Sequence, residues 1–542
     1  MKRVVVVVAG VAMLVAGVGS ANGTAVAVAA REAPAAARQA AAAAVTWAAC
    51  PKAPGKSASA ELECATVQVP LDYRRPKAQT IKLALNRIKA KVPSGSRHLG
   101  TLLINPGGPG SPGRNLTEYV ASSLPADVAE RYDIVGFDPR GVGGSEPAIH
   151  CMDAETFYKA PRLDQIPRNR THEKALRSRA ARYAEACGDR WSWLLPHLTT
   201  ENSARDMDRI RAALGEEKIS YFGYSYGTYL GAVYATLFPG RIKRLVMDST
   251  VDPSGSWYTL NLRQNRSFER RHRQFLAWTA RHNDVYKLGS TVKQTSFAFY
   301  AMRDRLRSHP AGGVVGPSEL DDTFALAGYT DKVWPSFAQA WSSYVRDGDA
   351  SGLTDIYTRH GKNDAADENG YAVYLGVECS DARWPRKWEK WRADMTRMHR
   401  KAPFLTWPNA WYNAPCAFWP VRGGTPVQVK DSPKLPPFLI LQSKDDAATP
   451  YRGAQEMAER FPRARLVVDQ GGNHGVTLAG NACMDRHLVA YLRDGTLPRD
   501  GSSCAAAQQP SPAVAAPQAA GRSRAPDLLG LLGVLDLLKG AR

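Results

Sequence analysis

Between a strand-like apolar run, Lys218 to Phe222, and an amphipathic helix-like run, Thr228 to Phe238, the chain reads Gly223-Tyr224-Ser225-Tyr226-Gly227. A sharp strand-to-helix turn lifts its middle residue off the sheet and aims the next backbone N–H at charge developing beside it. Ser225 is therefore a candidate nucleophile, and glycines two residues to either side relieve the crowding of such a turn. A serine hydroxyl attacks only when a base takes its proton, so a base and an orienting acid must lie elsewhere in the chain. With 45 glycines present, the pentapeptide alone is weak and its flanking pattern carries the weight.

That pattern extends along the chain. Short apolar runs at Thr101–Asn105, Tyr132–Phe137, Lys218–Phe222, Arg244–Asp248, Phe438–Gln442 and Arg465–Val468 are separated by helical stretches, which predicts an α/β fold with a mainly parallel sheet flanked by helices. Ser203-Ala204-Arg205-Asp206, followed by Met207, Ile210 and Leu214, reads as a capped helix closed by Gly215. From 252 to 436 the strand rhythm stops and Trp- and Tyr-rich helical stretches replace it. We read this segment as an inserted, mostly helical lid between core segments 45–251 and 437–504. An insertion there overhangs the carboxyl ends of the strands, where open α/β sheets bind ligands, so the lid would set substrate choice.

The termini differ from the body. Lys2 and Arg3 precede an apolar run from Val4 to Val18, and small residues around Ala25 to Ala30 offer A-x-A-like cleavage sites. Residues 1–30 thus read as a secretory signal peptide, the run being shorter than the roughly 20 residues of a membrane span. Residues 31–44 read as an Ala-rich pro-segment or linker, and 505–542 as a low-complexity tail ending in a Leu-rich stretch. A secreted chain favours disulfides, and the eight cysteines fall into near neighbours: Cys50 with Cys64, Cys151 with Cys187, Cys379 with Cys416, Cys483 with Cys504. Spacing alone does not prove that connectivity, but the absence of C-x-x-C disfavours zinc. The formal charge of +20 is dispersed, with Arg263 to Arg273 its densest patch and no nucleic-acid motif beside it. It implies solubility and adsorption to anionic cell-envelope polymers rather than nucleic-acid binding. A monomer without metal or cofactor, free of stable membrane insertion, is expected.

The acid and base of such a site should follow the last strands. Phe438 to Gln442 leads into Ser443-Lys444-Asp445-Asp446, and Arg465 to Val468 leads into Gly471-Gly472-Asn473-His474-Gly475. His474 would take the proton of Ser225, and a carboxylate would fix its tautomer and stabilise the imidazolium. Asp446 is the chosen acid, Asp248 after the run Arg244 to Met247 the alternative. Asn105-Pro106-Gly107-Gly108-Pro109-Gly110 follows the first of the six runs, and its small residues let backbone N–H groups approach a substrate oxygen. Gly108 and Tyr226 are therefore the expected oxyanion donors.

With G-G-P-G, G-x-S-x-G, D-x-x-T-P (Asp446 to Pro450) and N-H-G in this order, the chain resembles the proline-iminopeptidase branch of the α/β-hydrolases, and more closely the secreted tripeptidyl aminopeptidases of Streptomyces. The resemblance covers roughly 47 to 504 and includes Val69 to Tyr73, Gly136 to Gly143, Ser225 to Gly231 and Val377 to Asp381. It implies the α/β-hydrolase fold, the choice of Asp446 over Asp445, and exo-cleavage of peptides with a free N-terminus through an acyl-enzyme, without metal. It also implies a carboxylate pocket in the lid for the substrate ammonium, with Glu378 and Asp381 the nearest matches. Asn473 departs from the pattern, standing where a smaller or hydroxyl residue is common. Single-residue iminopeptidase action and esterase or lipase activity use the same triad and stay open. A non-catalytic scaffold would tolerate loss of Ser225, Asp446 or His474, and all three are present.

Overall fold

The computed structural model describes residues 44–51, 61–93, 95 and 97–512. The expected signal peptide, all but the last residue of the Ala-rich stretch and the Leu-rich tail lie outside them. Ten strands form one sheet: β1 (Ala48–Ala49), β2 (Leu62–Pro70), β3 (Thr80–Ile88), β4 (Thr101–Asn105), β5 (Asp133–Phe137), β6 (Ile219–Tyr224), β7 (Ile242–Asp248), β8 (Leu439–Ser443), β9 (Arg465–Asp469) and β10 (Ser503–Cys504). Their order is β1-β2-β3-β5-β4-β6-β7-β8-β9-β10. From β5 to β10 neighbours run parallel, while β1, β2 and β3 attach antiparallel at one end.

The six apolar runs are β4 to β9, displaced by at most two residues at either end. Every residue of β4 and β6 is buried, as strands covered by helices on both faces require. The pair β2 and β3 does not stand out as apolar runs because around Gln68 and Lys82 only one side of it is buried, although Ala84 and Asn86 are buried further along β3. Val67 and Val69, and Ile81, Leu83 and Leu85, point inward while Gln68 and Lys82 point out. Period-two alternation was its available signal. The helix expected to be capped near Ser203 starts earlier, at Thr200. The Thr199 side chain accepts the Asn202 N–H, and the carboxylate of Asp381, distant in sequence, accepts that of Thr200.

Between Asp248 and Leu439 the described residues add helices and no strand to the sheet. This segment has two cores. Its first part, from Phe268 to Tyr357, buries its own aromatic cluster around Phe275, Trp278, Trp334 and Trp341. Its second part, from Tyr371 to Trp419, joins the main core except for Phe404 and Leu405, which pack in the first cluster, with Trp388 stacked on Trp411 and Trp384 on Trp391 at 4.8 and 5.7 Å between ring centroids. The helix Ala365–Asp381 is fixed to the body by Glu368, whose buried carboxylate accepts the N–H groups of Cys151 and Met152 and the Tyr183 hydroxyl. Four disulfides join Cys50 to Cys64, Cys151 to Cys187, Cys379 to Cys416 and Cys483 to Cys504, so no cysteine is left free.

His272 lies in the first aromatic core. It stacks flat on Phe404 at 3.9 Å, and neither ring nitrogen has a hydrogen-bond partner. Burial drives its pKa down to about 3. The folded state therefore keeps it neutral where the unfolded chain, below pH 6.5, binds a proton, so this group subtracts stability as pH falls. His272→Phe is expected to raise the unfolding free energy from urea titration at pH 7.5 by about 1 kcal/mol, for two unsatisfied polar atoms removed, and to widen that margin at pH 5. An equal margin at both pH values would contradict the assignment.

Candidate active site

Ser225 occupies the bend between β6 and the helix Tyr226–Leu237, with φ 55° and ψ −126°. A non-glycine residue in that region carries roughly 1–3 kcal/mol of strain and persists only when its surroundings hold it. Here the Ser225 N–H donates to the Asp248 carbonyl at 2.9 Å, and the Ser225 carbonyl accepts both the N–H and the hydroxyl of Thr228. Gly227 is required because a Cβ there would lie 2.8 Å from the Asn105 side chain and 2.9 Å from its carbonyl oxygen. The loop after β4 approaches from the other side. Gly107 has φ +105°, and a Cβ on it would sit 2.7 Å from the Tyr224 carbonyl and 2.8 Å from the Ser225 Cβ.

The buried Asn105 side chain accepts the Gly107 N–H at 3.0 Å, which uses up that donor. The next residue, Gly108, lines the cavity together with Ser225 and Tyr226. Tyr226 is the first residue of its helix, where backbone N–H groups have no partner inside the helix and favour negative charge. Gly108 and Tyr226 are thus brought to one wall beside Ser225.

The residues after β8 and β9 meet one another. His474 Nδ1 lies 2.9 and 3.1 Å from the two carboxylate oxygens of Asp446. Asp446 is fixed in turn by the N–H and hydroxyl of Thr449, both at 2.9 Å, and by Gln442. His474 is 6% exposed and its Nε2 is without a protein partner, which leaves that nitrogen for a proton from outside the His–Asp pair. Burial disfavours the imidazolium, but the facing Asp446 carboxylate outweighs it and raises the His474 pKa above its ordinary value. Asp445 instead faces the helix Trp257–Arg281, accepting from Arg270 at 3.2 Å and Gln274 at 2.8 Å.

Asp248 does not orient the histidine ring; it holds the histidine loop. Its fully buried carboxylate accepts the N–H groups of Val476 and Thr477 and the hydroxyls of Thr477 and Ser249. The Ser249 hydroxyl accepts the Gly475 N–H at 2.8 Å. Burial pushes the Asp248 carboxyl up to about 6 even against those donors. Sequence inspection places Asp248 at a strand end but misses this role, because its partners lie more than 220 residues away.

A cavity of about 370 Å³ opens over Ser225 and is roofed by the insertion. Tyr371, Tyr374 and Tyr412 form much of one wall, and Glu378 lies among them. Glu378 is buried and accepts from Asn261 at 3.4 Å. Burial pushes its carboxyl up to about 8, against the hydrogen bonds of Tyr374 and Asn261. Asp381, paired with Glu378 in the sequence reading, does not line this cavity. One helical turn further on, it receives the N–H and hydroxyl of Thr200 at 2.8 and 2.5 Å and ties two helices together. The three tyrosines carry no motif and were found only by folding.

Residues 100–478 match the alpha/beta hydrolase fold family. Over 459 residues the chain is 45% identical to the tripeptidyl aminopeptidase of Streptomyces lividans, covering 83% of this chain and 85% of that one. It is 32% identical over 461 residues to serine protease Hip1 of Mycobacterium tuberculosis (strain ATCC 25618 / H37Rv), covering 81% and 87%. It is also 32% identical over 465 residues to carboxylesterase B of the same organism, covering 82% and 86%.

The three carboxylates Asp446, Asp445 and Asp248 occupy different surroundings. Asp446→Asn is expected to lower turnover by about 10⁴-fold, because an amide favours the wrong histidine tautomer. Asp445→Asn gives up an ion pair in which the arginine is largely exposed, worth under about 1 kcal/mol, and should leave turnover within twofold. Asp248→Asn should lower both the melting temperature and turnover. Steady-state kinetics and thermal melts of the three purified variants check this ordering; equal losses at Asp445 and Asp446 would refute it.

Proposed function

The chain belongs to the alpha/beta hydrolase family and is a serine peptidase within it, and from that premise we propose that it releases tripeptides from the free N-terminus of peptide substrates. Ser225 Oγ attacks the scissile carbonyl while His474 Nε2 takes its proton and Asp446 holds the ring and balances the imidazolium. The N–H groups of Gly108 and Tyr226 receive the oxyanion. The amine leaves with the proton held by His474, and water then repeats the sequence on the acyl-enzyme. No step calls on a metal or a cofactor.

The observation that carries the peptidase specificity is Glu378, a buried carboxyl group in the cavity that opens over Ser225. A buried ammonium needs a carboxylate partner, whereas an acyl chain does not. The signal-like leader and four disulfides support a secreted, extracellular protein, acting as a monomer and adsorbing to anionic envelope polymers through its positive charge.

An esterase remains the second reading, because the carboxylesterase relative and the tyrosine-lined cavity both suit it. Release of p-nitroaniline from Ala-Pro-Ala-p-nitroanilide, its N-acetylated form, Ala-p-nitroanilide and Pro-p-nitroanilide separates the readings. The proposal expects cleavage of the free tripeptide only, and its loss in Ser225→Ala. Preference for the single residues would assign an iminopeptidase. Cleavage of the blocked peptide would remove the ammonium site, and cleavage of none would favour the esterase.

The Glu378 assignment has its own pH signature. With its carboxyl pushed up to about 8, the free enzyme holds it protonated at neutral pH, and pairing with an ammonium requires that proton to leave. KM should therefore fall as pH rises toward 8, then rise as the substrate amine, with a pKa of about 8, loses its own charge. Glu378→Gln should flatten this profile and lower kcat/KM by about tenfold or more, the loss of a charge-assisted hydrogen bond. An unchanged profile would place the ammonium elsewhere.

A further inference from the structure

Asn473 precedes the histidine and departs from the pattern the chain resembles, and the triad gives it no task. The structure surrounds it with residues of the insertion. Its amide oxygen accepts the Asp331 N–H at 2.9 Å and Arg271 Nη2 at 3.1 Å, and its amide nitrogen donates to Asp331 Oδ1 at 2.9 Å. Three further contacts run in parallel. The His474 N–H donates to the Tyr329 carbonyl at 2.7 Å, the Tyr329 ring meets the imidazole edge-on at 5.4 Å, and Lys332 Nζ reaches the Ala479 carbonyl at 2.6 Å. Arg271, Tyr329, Asp331 and Lys332 all belong to the insertion, and Arg271 is braced over the Trp334 ring at 4.8 Å.

Asp248 and Ser249 hold the far end of this loop, from Gly475 to Thr477. On the insertion side, residues 470–473, Gly475 and Val476 border a second hollow of about 230 Å³, lined mainly by polar side chains, Arg271 and Asp331 among them, and by the segment 506–509. Directional hydrogen bonds to the insertion therefore set the position of the loop on that side, and the Asn473–Asp331 pair is the reciprocal, two-bonded one among them. Asn473 does not line the substrate cavity, so it reaches the reaction only through its neighbour.

We propose that Asn473 is a positioning residue that couples the seat of the lid to the alignment of His474, so that the proton-accepting nitrogen is in place only when the Asp331–Asn473–Arg271 contact is made. The proposal rests on the Ser225–His474 assignment and is independent of which peptide is cut. In Asn473→Asp two carboxylates face each other across the contact. In Asn473→Asp combined with Asp331→Asn, amide and carboxylate trade sides, and every hydrogen bond can be remade with Arg271 still served.

The test measures the second-order rate at which a fluorophosphonate labels Ser225, a reaction that needs an activated serine but no peptide, together with kcat, KM and melting temperature. Asn473→Asp is expected to slow labelling and kcat by about tenfold with KM within about twofold, the size of effect that slight misplacement of a catalytic group produces. The double variant should recover to within about threefold of the wild type. A labelling rate unchanged in Asn473→Asp, or a double variant no faster than the single one, overturns the coupling. If Asn473→Asp does not fold, Asn473→Ser, which fits the same space and breaks the reciprocal pair, takes its place, and an unchanged labelling rate there is equally fatal. Fast labelling of wild type without tripeptide cleavage would refute the proposed substrate and leave the coupling test standing.

Discussion

The buried end of β7 is the constraint on which the site depends. Through its backbone carbonyl Asp248 holds the strained Ser225, and through its carboxylate it holds the loop that carries His474. One residue thus fixes the bend at Ser225 and the loop of His474, which follow separate strands, and it does so with a carboxylate fully withdrawn from water. A lone buried carboxylate is costly, and burial shows in its raised pKa; four donors from Val476, Thr477 and Ser249 offset that cost and leave the loop little freedom. Asp446, by contrast, faces the imidazole itself. The two acids divide labour: one orients the ring, the other the backbone beneath it.

The insertion adds a second level of control. Its later part, cross-linked within itself by the Cys379–Cys416 disulfide, is tied to the body by Glu368 and supplies the cavity wall that contains Glu378. Its earlier part has a separate aromatic core and touches the histidine loop through Tyr329 and Asp331. The cavity wall and the contacts to the histidine loop therefore come from different parts of one segment.

Much of this architecture was legible in the sequence because it is local. The apolar runs of β4 to β9 and the glycines around Ser225 are short-range requirements of strands and of a tight bend, and the loops after β8 and β9 are where a parallel sheet delivers its functional groups. What escaped is non-local or two-sided. The pair β2 and β3 exposes Thr66, Gln68, Thr80 and Lys82 on one face, and so lacks the continuous apolar run that marks the central strands. The start of the helix at Thr200 depends on Asp381 across the fold. Glu378 and Asp381 sit three residues apart on one helix, yet the first lines the cavity and the second braces a neighbouring helix. The family resemblance named them together, and only tertiary packing separated their tasks.

The central claim is that Ser225 is acylated during turnover by the N-terminal portion of a peptide and is activated by His474. Intact-mass and peptide-mapping spectrometry of enzyme quenched in acid during the first turnover of Ala-Pro-Ala-p-nitroanilide tests it most directly. The account expects a burst of p-nitroaniline approaching one per enzyme, and the mass of the Ala-Pro-Ala acyl group on the fragment containing Ser225, absent in His474→Ala. Turnover without an adduct on Ser225 under conditions where the burst is complete, or an adduct that forms equally fast without His474, would contradict it.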